Sequence, residues 1–223
     1  MDRLVVASSA APVTPCRGDG SAVRVEAVTL LGVKVTAYVV INGAEHQRRE
    51  AAGMAAVTDP ALLDRLMDLQ VAVPVSDPVI WAEMTGQPSG IIERSDDETS
   101  VTRRLESPLT IEDVVVAAAG DRELRAVQDA SLFAGFTRRW VAAARSRIPV
   151  STMLEAKLCG VGVVDPCRKV LLPAEKPVAP TMDGWSWLLQ EKAYRRWLSR
   201  RSQDHATGSP SPATGEASAV RAG

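Results

Sequence analysis

Hydrophobic and polar residues alternate most clearly between residues 23 and 41, where valine, threonine and isoleucine are frequent and Gly32 interrupts the run. A period of two with many β-branched residues predicts β-strands. We therefore predict strands over 23–30 and 33–41, arranged as a hairpin or as one long bent strand, with a turn at Asn42-Gly43 that closes them.

The next part of the chain predicts several short elements. Asp59 followed by Pro60 is a typical helix start, with the aspartate as N-cap, and predicts a helix over 60–69. The other elements are a segment 45–57 that fits either helix or loop, short strands over 71–75 and 78–84, and a hairpin over 90–107 whose tip is the acidic run 95–100.

After Thr110 the spacing of apolar residues changes to three or four, which favours helices. Thr110 and Asp113 fit a capping box for a helix that ends near Ala119, and a longer helix is predicted over 122–147. The remaining elements are a helix over 151–159, a hairpin that turns at 165–169, and a last helix over 183–201.

This order of elements predicts an α+β fold, with hairpins in the first half and helices plus one further hairpin in the second. The length of 223 residues suits a single domain, which we place at residues 22–201. Residues 1–21 are predicted to be a flexible segment. Residues 202–223 are rich in small and polar residues and are predicted to be a disordered tail.

Composition restricts the class of protein. Hydrophobic residues make up 46% of the chain and charged residues 24%, which is typical of a soluble globular protein, and no uncharged run is long enough to span a membrane. Arginine outnumbers lysine 21 to 5 and alanine occurs 32 times, a bias typical of bacterial proteins with GC-rich codons. The three cysteines, Cys16, Cys159 and Cys167, form no metal-binding or redox motif, so we expect a cytoplasmic protein.

Charge is distributed unevenly along the chain, although the net charge is only −1. Residues 1–135 contain 12 basic and 20 acidic side chains, whereas residues 136–201 contain 13 basic and 5 acidic ones. A basic second half keeps a polyanionic partner possible.

Two segments each contain an aromatic residue, an Arg-Arg pair and a tryptophan: FTRRWVAAARSR from residue 136 and YRRWLSRRS from residue 194. If both are helices, Trp140 and Trp197 face away from the arginines, which predicts that the tryptophans are core anchors. The arginines would then form two basic stripes on the surface: Arg138, Arg139 and Arg145 on the first helix, and Arg195, Arg196 and Arg200, with Lys192, on the second. Such stripes could bind the phosphates of DNA or RNA or an acidic protein surface, or pair with the acidic first half.

Glu155-Ala-Lys157 has the E-x-K spacing of restriction-type nucleases, in which a strand directs both side chains the same way towards a metal ion. Thr152 and Glu155 fit a capping box, however, which predicts a helix and separates Glu155 from Lys157. With only two histidines, no zinc-binding spacing and no dinucleotide-binding loop, the chain predicts no cofactor and no metal.

We therefore predict a binding protein without catalytic activity whose basic second half contacts nucleic acid or an acidic partner. One alternative is a metal-dependent nuclease-like protein, active or decayed, built around Glu155 and Lys157. A second alternative is an interaction module that forms homo-oligomers through its opposite charge poles.

Overall fold

The computed structural model describes residues 22–177 and 183–206, and the side chains of these residues as far as Gln203. The strands are β1 (Val23–Leu30), β2 (Val33–Ile41), β3 (Pro74–Val75), β4 (Ile92–Arg94), β5 (Val101–Arg103), β6 (Leu109–Ala117), β7 (Arg138–Ala142), β8 (Gly162–Val164) and β9 (Val170–Leu172). The helices are α1 (Gly43–Ala51), α2 (Pro60–Met67), α3 (Pro78–Met84), α4 (Glu123–Ser131), α5 (Val150–Leu158) and α6 (Gly184–Ala206). The fold is α+β, as the sequence predicts.

A mixed sheet with the strand order β1-β2-β6-β7-β8-β9 forms the centre of the molecule. Strands β1, β2 and β6 are antiparallel neighbours, whereas β6, β7 and β8 run parallel. Parallel neighbours need a crossover connection, and helices α4 and α5 supply the two crossovers. A smaller sheet, β3-β5-β4, lies within the segment that connects β2 to β6.

The first hairpin has the predicted strand limits, because β1 and β2 pair antiparallel across a two-residue turn. Leu31 and Gly32 both have positive φ, 49° and 78°, as such tight turns require. The ladder is interrupted between Val25 and Val28 by a bulge, where Ala27 has a φ of 55°.

Helices α1 and α2 each begin at an N-cap residue whose side chain accepts backbone hydrogen bonds. Asp59 accepts hydrogen bonds from the backbone of Ala61 and Leu62, which confirms the predicted start of α2. Asn42 accepts one from the backbone of Glu45, so Asn42-Gly43 begins helix α1 and is not the predicted closing turn.

Residues 78–84 form helix α3, and the predicted strand there was wrong. Asp77 caps this helix before Pro78, the same N-cap and proline pair that precedes α2. That signal outweighs the strand preference of the residues after it. The hairpin with an acidic tip is confirmed as β4 and β5.

The second half differs most from prediction. The predicted helix over 110–119 is strand β6, and the predicted helix over 122–147 is divided into α4, a turn and strand β7. Strand β6 lies between β2 and β7, and a central strand covered on both faces has apolar residues in succession, as at Val114–Val116. Such a run cannot be distinguished from a buried helix by periodicity alone.

The last predicted elements are present. The helix over 151–159 is α5, although it begins after Pro149 without a side-chain cap, so the capping box of Thr152 and Glu155 does not form. The hairpin is β8 and β9. Helix α6 continues to Ala206 rather than ending at Arg201, and the rest of the predicted tail, like the segment 1–21, lies outside the described residues.

Both faces of the large sheet are covered. Residues of α4, α5 and α6 share the main core with Val114 and Val116 of β6. On the opposite face Trp140 packs with Tyr38, Val115 and Val164. Cys159 and Cys167 are free thiols. No helix in the described ranges is long and apolar enough to cross a bilayer.

Gly162 of β8 is paired with Trp140 of β7, and the indole ring occupies the space where a side chain would lie. A Cβ atom on Gly162 would come within 2.3 Å of the Trp140 ring and 2.7 Å of the Ala174 backbone nitrogen. We expect Gly162→Ala to lower the free energy of unfolding by about 1–3 kcal/mol, measured by urea denaturation.

Gly135→Ala is the matched control for Gly162→Ala, because a Cβ atom there would meet nothing within 4 Å. Its stability should stay within about 0.5 kcal/mol of the wild type. Equal stability of the two variants would show that the Trp140 ring does not lie against β8.

Candidate anion-binding site

The first Arg-Arg pair lies on strand β7, so Arg138 and Arg139 point to opposite faces of the sheet. Arg138 donates to the buried carboxylate of Asp113 over 2.7 Å. Trp140 donates from Nε1 to the other oxygen of Asp113 over 2.9 Å. Trp140 is therefore a core anchor, as predicted, but on a strand instead of a helix.

Arg139 and Arg145 also form hydrogen bonds with other residues of the chain. Arg139 is 7% exposed and donates to the backbone oxygens of Ala134 and Cys159, the second of which is the C-cap of α5. A guanidinium is favourable there because it satisfies carbonyls at a helix C-terminus. Arg145 forms two hydrogen bonds, of 2.8 and 3.0 Å, with the carboxylate of Glu123.

Arg138, Arg139 and Arg145 therefore do not form a stripe on one face of a helix, and their contact with an anion stays a prediction. They lie on a strand and on the loop after it, and each is directed towards a carboxylate or a backbone oxygen. The helical wheel failed because it was applied to a segment that is not helical.

The second Arg-Arg pair lies on α6, where the wheel does apply. Trp197 packs with Tyr194 and His46, whose ring centroids lie 5.7 and 4.8 Å from its own. Arg196 and Arg200 face strand β1 instead. Arg196 donates to the backbone oxygen of Glu26 over 3.2 Å and Arg200 to its carboxylate over 2.6 Å.

A groove of about 290 Å³ runs between this face of α6 and the bulge of β1, and we call it the basic groove. It is lined by Ala27, Val28 and Thr29 of β1 and by Lys192, Arg195, Arg196 and Ser199 of α6. The four helix residues are spaced i, i+3, i+4 and i+7, which places them on one face over two turns. No acidic residue belongs to this lining.

Glu26 directly precedes Ala27 of the basic groove, and its carboxylate forms ion pairs with Arg24 and Arg200. A hydrogen bond from Arg200, together with the charge of Arg24, lowers the pKa of Glu26 below its usual value. Because Glu26 stays ionised and paired, it holds Arg200 in place. Arg195 is exposed and Lys192 partly exposed, so both are available to an anion in the basic groove.

Helix α6 is fixed relative to the sheet by a buried ion cluster around Arg49 of α1. The Arg49 guanidinium is fully buried and contacts Glu191 of α6 and Glu45 of α1, each over 2.6 Å. It also donates to the backbone oxygen of Glu106, just before β6, over 2.8 Å. Burial alone would raise the pKa of Glu45, but hydrogen bonds from Arg48 and Arg49 outweigh that effect and lower it.

Another cavity, of about 280 Å³, lies between the first turns of α6 and the start of β6. Its lining is mainly apolar and includes Ile111, Phe136 and Leu189, with Glu112 as its charged residue. A cavity with a carboxylate and no cation does not suit a phosphate, so it does not extend the basic groove.

Glu155 and Lys157 lie on helix α5, as predicted although the capping box does not form, and not on the strand that a nuclease site of this spacing needs. Residues two apart on a helix differ in direction by about 200°. Within the described ranges no group of three or more His, Cys, Asp or Glu side chains is placed to hold a metal ion. The geometry therefore gives no support to a metal site at the E-x-K.

Only part of the candidate site was accessible from the sequence. The helical spacing of Lys192, Arg195 and Arg196 is visible in the printed sequence. The opposite wall of the basic groove is not, because no residue pattern marks the bulge at Ala27 or its position beside α6.

Comparison with protein-family models, with curated proteins and with solved structures finds no match for this chain. The fold defines an α+β protein with a mixed sheet and a basic groove between β1 and α6.

Arg138→Glu should destabilise the protein, because it removes the ion-pair partner of buried Asp113 and adds a second carboxylate beside it. We expect a loss of about 3 kcal/mol in the free energy of unfolding. Arg195→Glu, on an exposed position of α6, should change it by less than about 0.5 kcal/mol. Thermal and urea unfolding of both variants tests the reassignment of these arginines, and equal stabilities would contradict it.

Proposed function

We propose that the protein is a binding protein without catalytic activity that contacts the phosphate backbone of nucleic acid through the basic groove. The observation that carries the proposal is the alignment of Lys192, Arg195, Arg196 and Ser199 on one face of α6, opposite the bulge of β1. Lysine, arginine and serine side chains are typical donors to phosphate oxygens.

The chemistry of the basic groove favours binding that is independent of base sequence. Phosphate contacts position a nucleic acid but carry no sequence information. The nearest tryptophan on the helix, Trp197, packs with Tyr194 and His46 away from these cations, so bases are not expected to stack on it. We therefore expect DNA and RNA of any sequence to bind.

Self-association through opposite charge poles receives less support. Basic residues of the second half pair with acidic residues of the first half inside one chain, as in Arg138–Asp113, Arg145–Glu123 and Arg200–Glu26. In the ion pair Arg49–Glu191, the basic residue belongs to the first half and the acidic residue to the second. These contacts reduce the charge that either half could offer to a second copy.

The double variant Lys192→Glu/Arg195→Glu tests the proposal by fluorescence anisotropy with labelled single-stranded DNA, duplex DNA and RNA over a salt series. For the wild type, the logarithm of the binding constant should fall linearly with the logarithm of salt concentration. The double variant should bind more weakly and have a slope smaller by about 1.4–1.8, as expected for two lost phosphate contacts.

Arg122→Glu/Arg125→Glu is the matched control, because it changes the net charge by the same amount as the first double variant. Arg122 is the N-cap residue of α4 and Arg125 lies on α4, and both are exposed. This control should retain the affinity and salt slope of the wild type. If both double variants lose affinity equally, binding depends on net charge and the basic groove is not the site. If the wild type binds a labelled polyglutamate peptide but binds no nucleic acid, the partner is an acidic protein.

A non-catalytic role predicts that bound DNA stays intact. Incubation of the wild type with labelled DNA and Mg²⁺ or Mn²⁺ should yield no cleavage products on a denaturing gel. Cleavage that disappears in folded Glu155→Gln and Lys157→Ala variants would establish the nuclease alternative instead.

A further inference from the structure

Trp185, in the first turn of α6, is 60% exposed. The other four tryptophans are buried or partly buried, as at Trp140 and Trp187. An indole ring left in water gives up the free energy of its burial, and exposed tryptophans are enriched where proteins bind partners. Trp185 therefore marks a surface that is separate from the basic groove.

A groove of about 250 Å³ adjoins the ring, and we call it the Trp185 groove. It is lined by Pro60, Ala61 and Asp64 of α2 and by Gly184 and Trp185 of α6. Gly184 allows the two helices to approach closely, because a Cβ atom there would lie 3.0 Å from Oδ1 of Asp64. The Asp64 carboxylate is thus brought to the side of the groove that carries the tryptophan.

Asp64 is exposed, and within the described residues it takes part in no hydrogen bond or ion pair. Its neighbours are already engaged: Asp59 caps α2, Asp183 accepts a hydrogen bond from the backbone of Ser186, and Arg65 pairs with Glu83. Asp64 is the charged residue in the lining of the Trp185 groove, and its free carboxylate supplies the negative charge there.

A tryptophan face beside an unpaired carboxylate is suited to a cation. Arginine fits better than lysine, because its planar guanidinium stacks on an indole while its edge donates two hydrogen bonds to a carboxylate. Another tryptophan of the same helix already makes a cation–π contact with an arginine, since the Arg103 guanidinium lies 4.4 Å from the ring centroid of Trp187.

We propose that the Trp185 groove binds an arginine side chain of a partner protein, with the guanidinium stacked on Trp185 and hydrogen-bonded to Asp64. This site lies about two turns of α6 before the basic groove and does not depend on nucleic-acid binding. The protein would then contact an anion at one part of α6 and a cationic protein segment at its start.

The probe is a fluorescent peptide of alternating glycine and arginine, compared with the same peptide in which citrulline replaces arginine. Citrulline keeps the shape of arginine but has no charge, so the arginine peptide should bind at least about tenfold more tightly. Trp185→Leu and Asp64→Asn should each weaken binding of the arginine peptide about two- to fivefold in anisotropy titrations.

Asp68→Asn is the matched control, because it removes the same charge from an exposed position at the end of the same helix. It should leave the affinity unchanged. Equal binding of the two peptides, or an equal loss in all three variants, would overturn the proposal, since attraction to net negative charge would then suffice. Circular dichroism confirms that each variant is folded.

Sedimentation of the wild type at increasing concentration distinguishes a partner protein from a second copy of this chain. Self-association that Trp185→Leu abolishes would make the second copy the occupant and overturn the assignment to another protein. Trp185→Leu should bind nucleic acid as the wild type does, so failure at the Trp185 groove and failure at the basic groove are separate results.

Discussion

Arg49 joins three parts of the fold through one guanidinium that has no contact with solvent. It contacts the carboxylates of Glu45 and Glu191 and the backbone oxygen of Glu106, and so connects α1, α6 and the segment before β6. A buried charge is tolerated only when its partners are present with good geometry, since removing one partner costs about 3–5 kcal/mol. The position of α6 against the sheet therefore depends on this cluster.

The two candidate surfaces follow from how α6 is held. Glu191 and Tyr194 face the interior of the protein. The residues directly after each of them therefore lie on the side of α6 that faces β1, as Lys192, Arg195 and Arg196 do. At the start of the helix, contact with α2 leaves Trp185 outside while Trp187 is buried. One helix thus contributes its inner face to the core and two parts of its outer face to the two candidate surfaces.

In the folded protein, the acidic first half and the basic second half of the sequence form ion pairs with each other. Arg138, Arg145 and Arg200 meet Asp113, Glu123 and Glu26 because the strands and helices that carry them are neighbours in the fold. Much of the contrast in charge between the halves is therefore used within the chain, whereas Lys192 and Arg195 at the basic groove form no ion pair with any residue that the structure describes.

The sequence by itself determined the elements that depend on local chemistry: the limits of β1 and β2 from alternation, the start of α2 from Asp59-Pro60, and the amphipathic helix α6 with its basic face. Only the tertiary structure decided that residues 109–117 and 138–142 are strands, because both are covered on two faces and buried strands lose the period that would identify them. The pairing of Arg138 with Asp113, the bulge opposite Lys192 and the approach of Asp64 to Gly184 also required the fold. Each joins residues far apart in the chain, and contacts of that kind leave no spacing in the sequence from which they could be predicted.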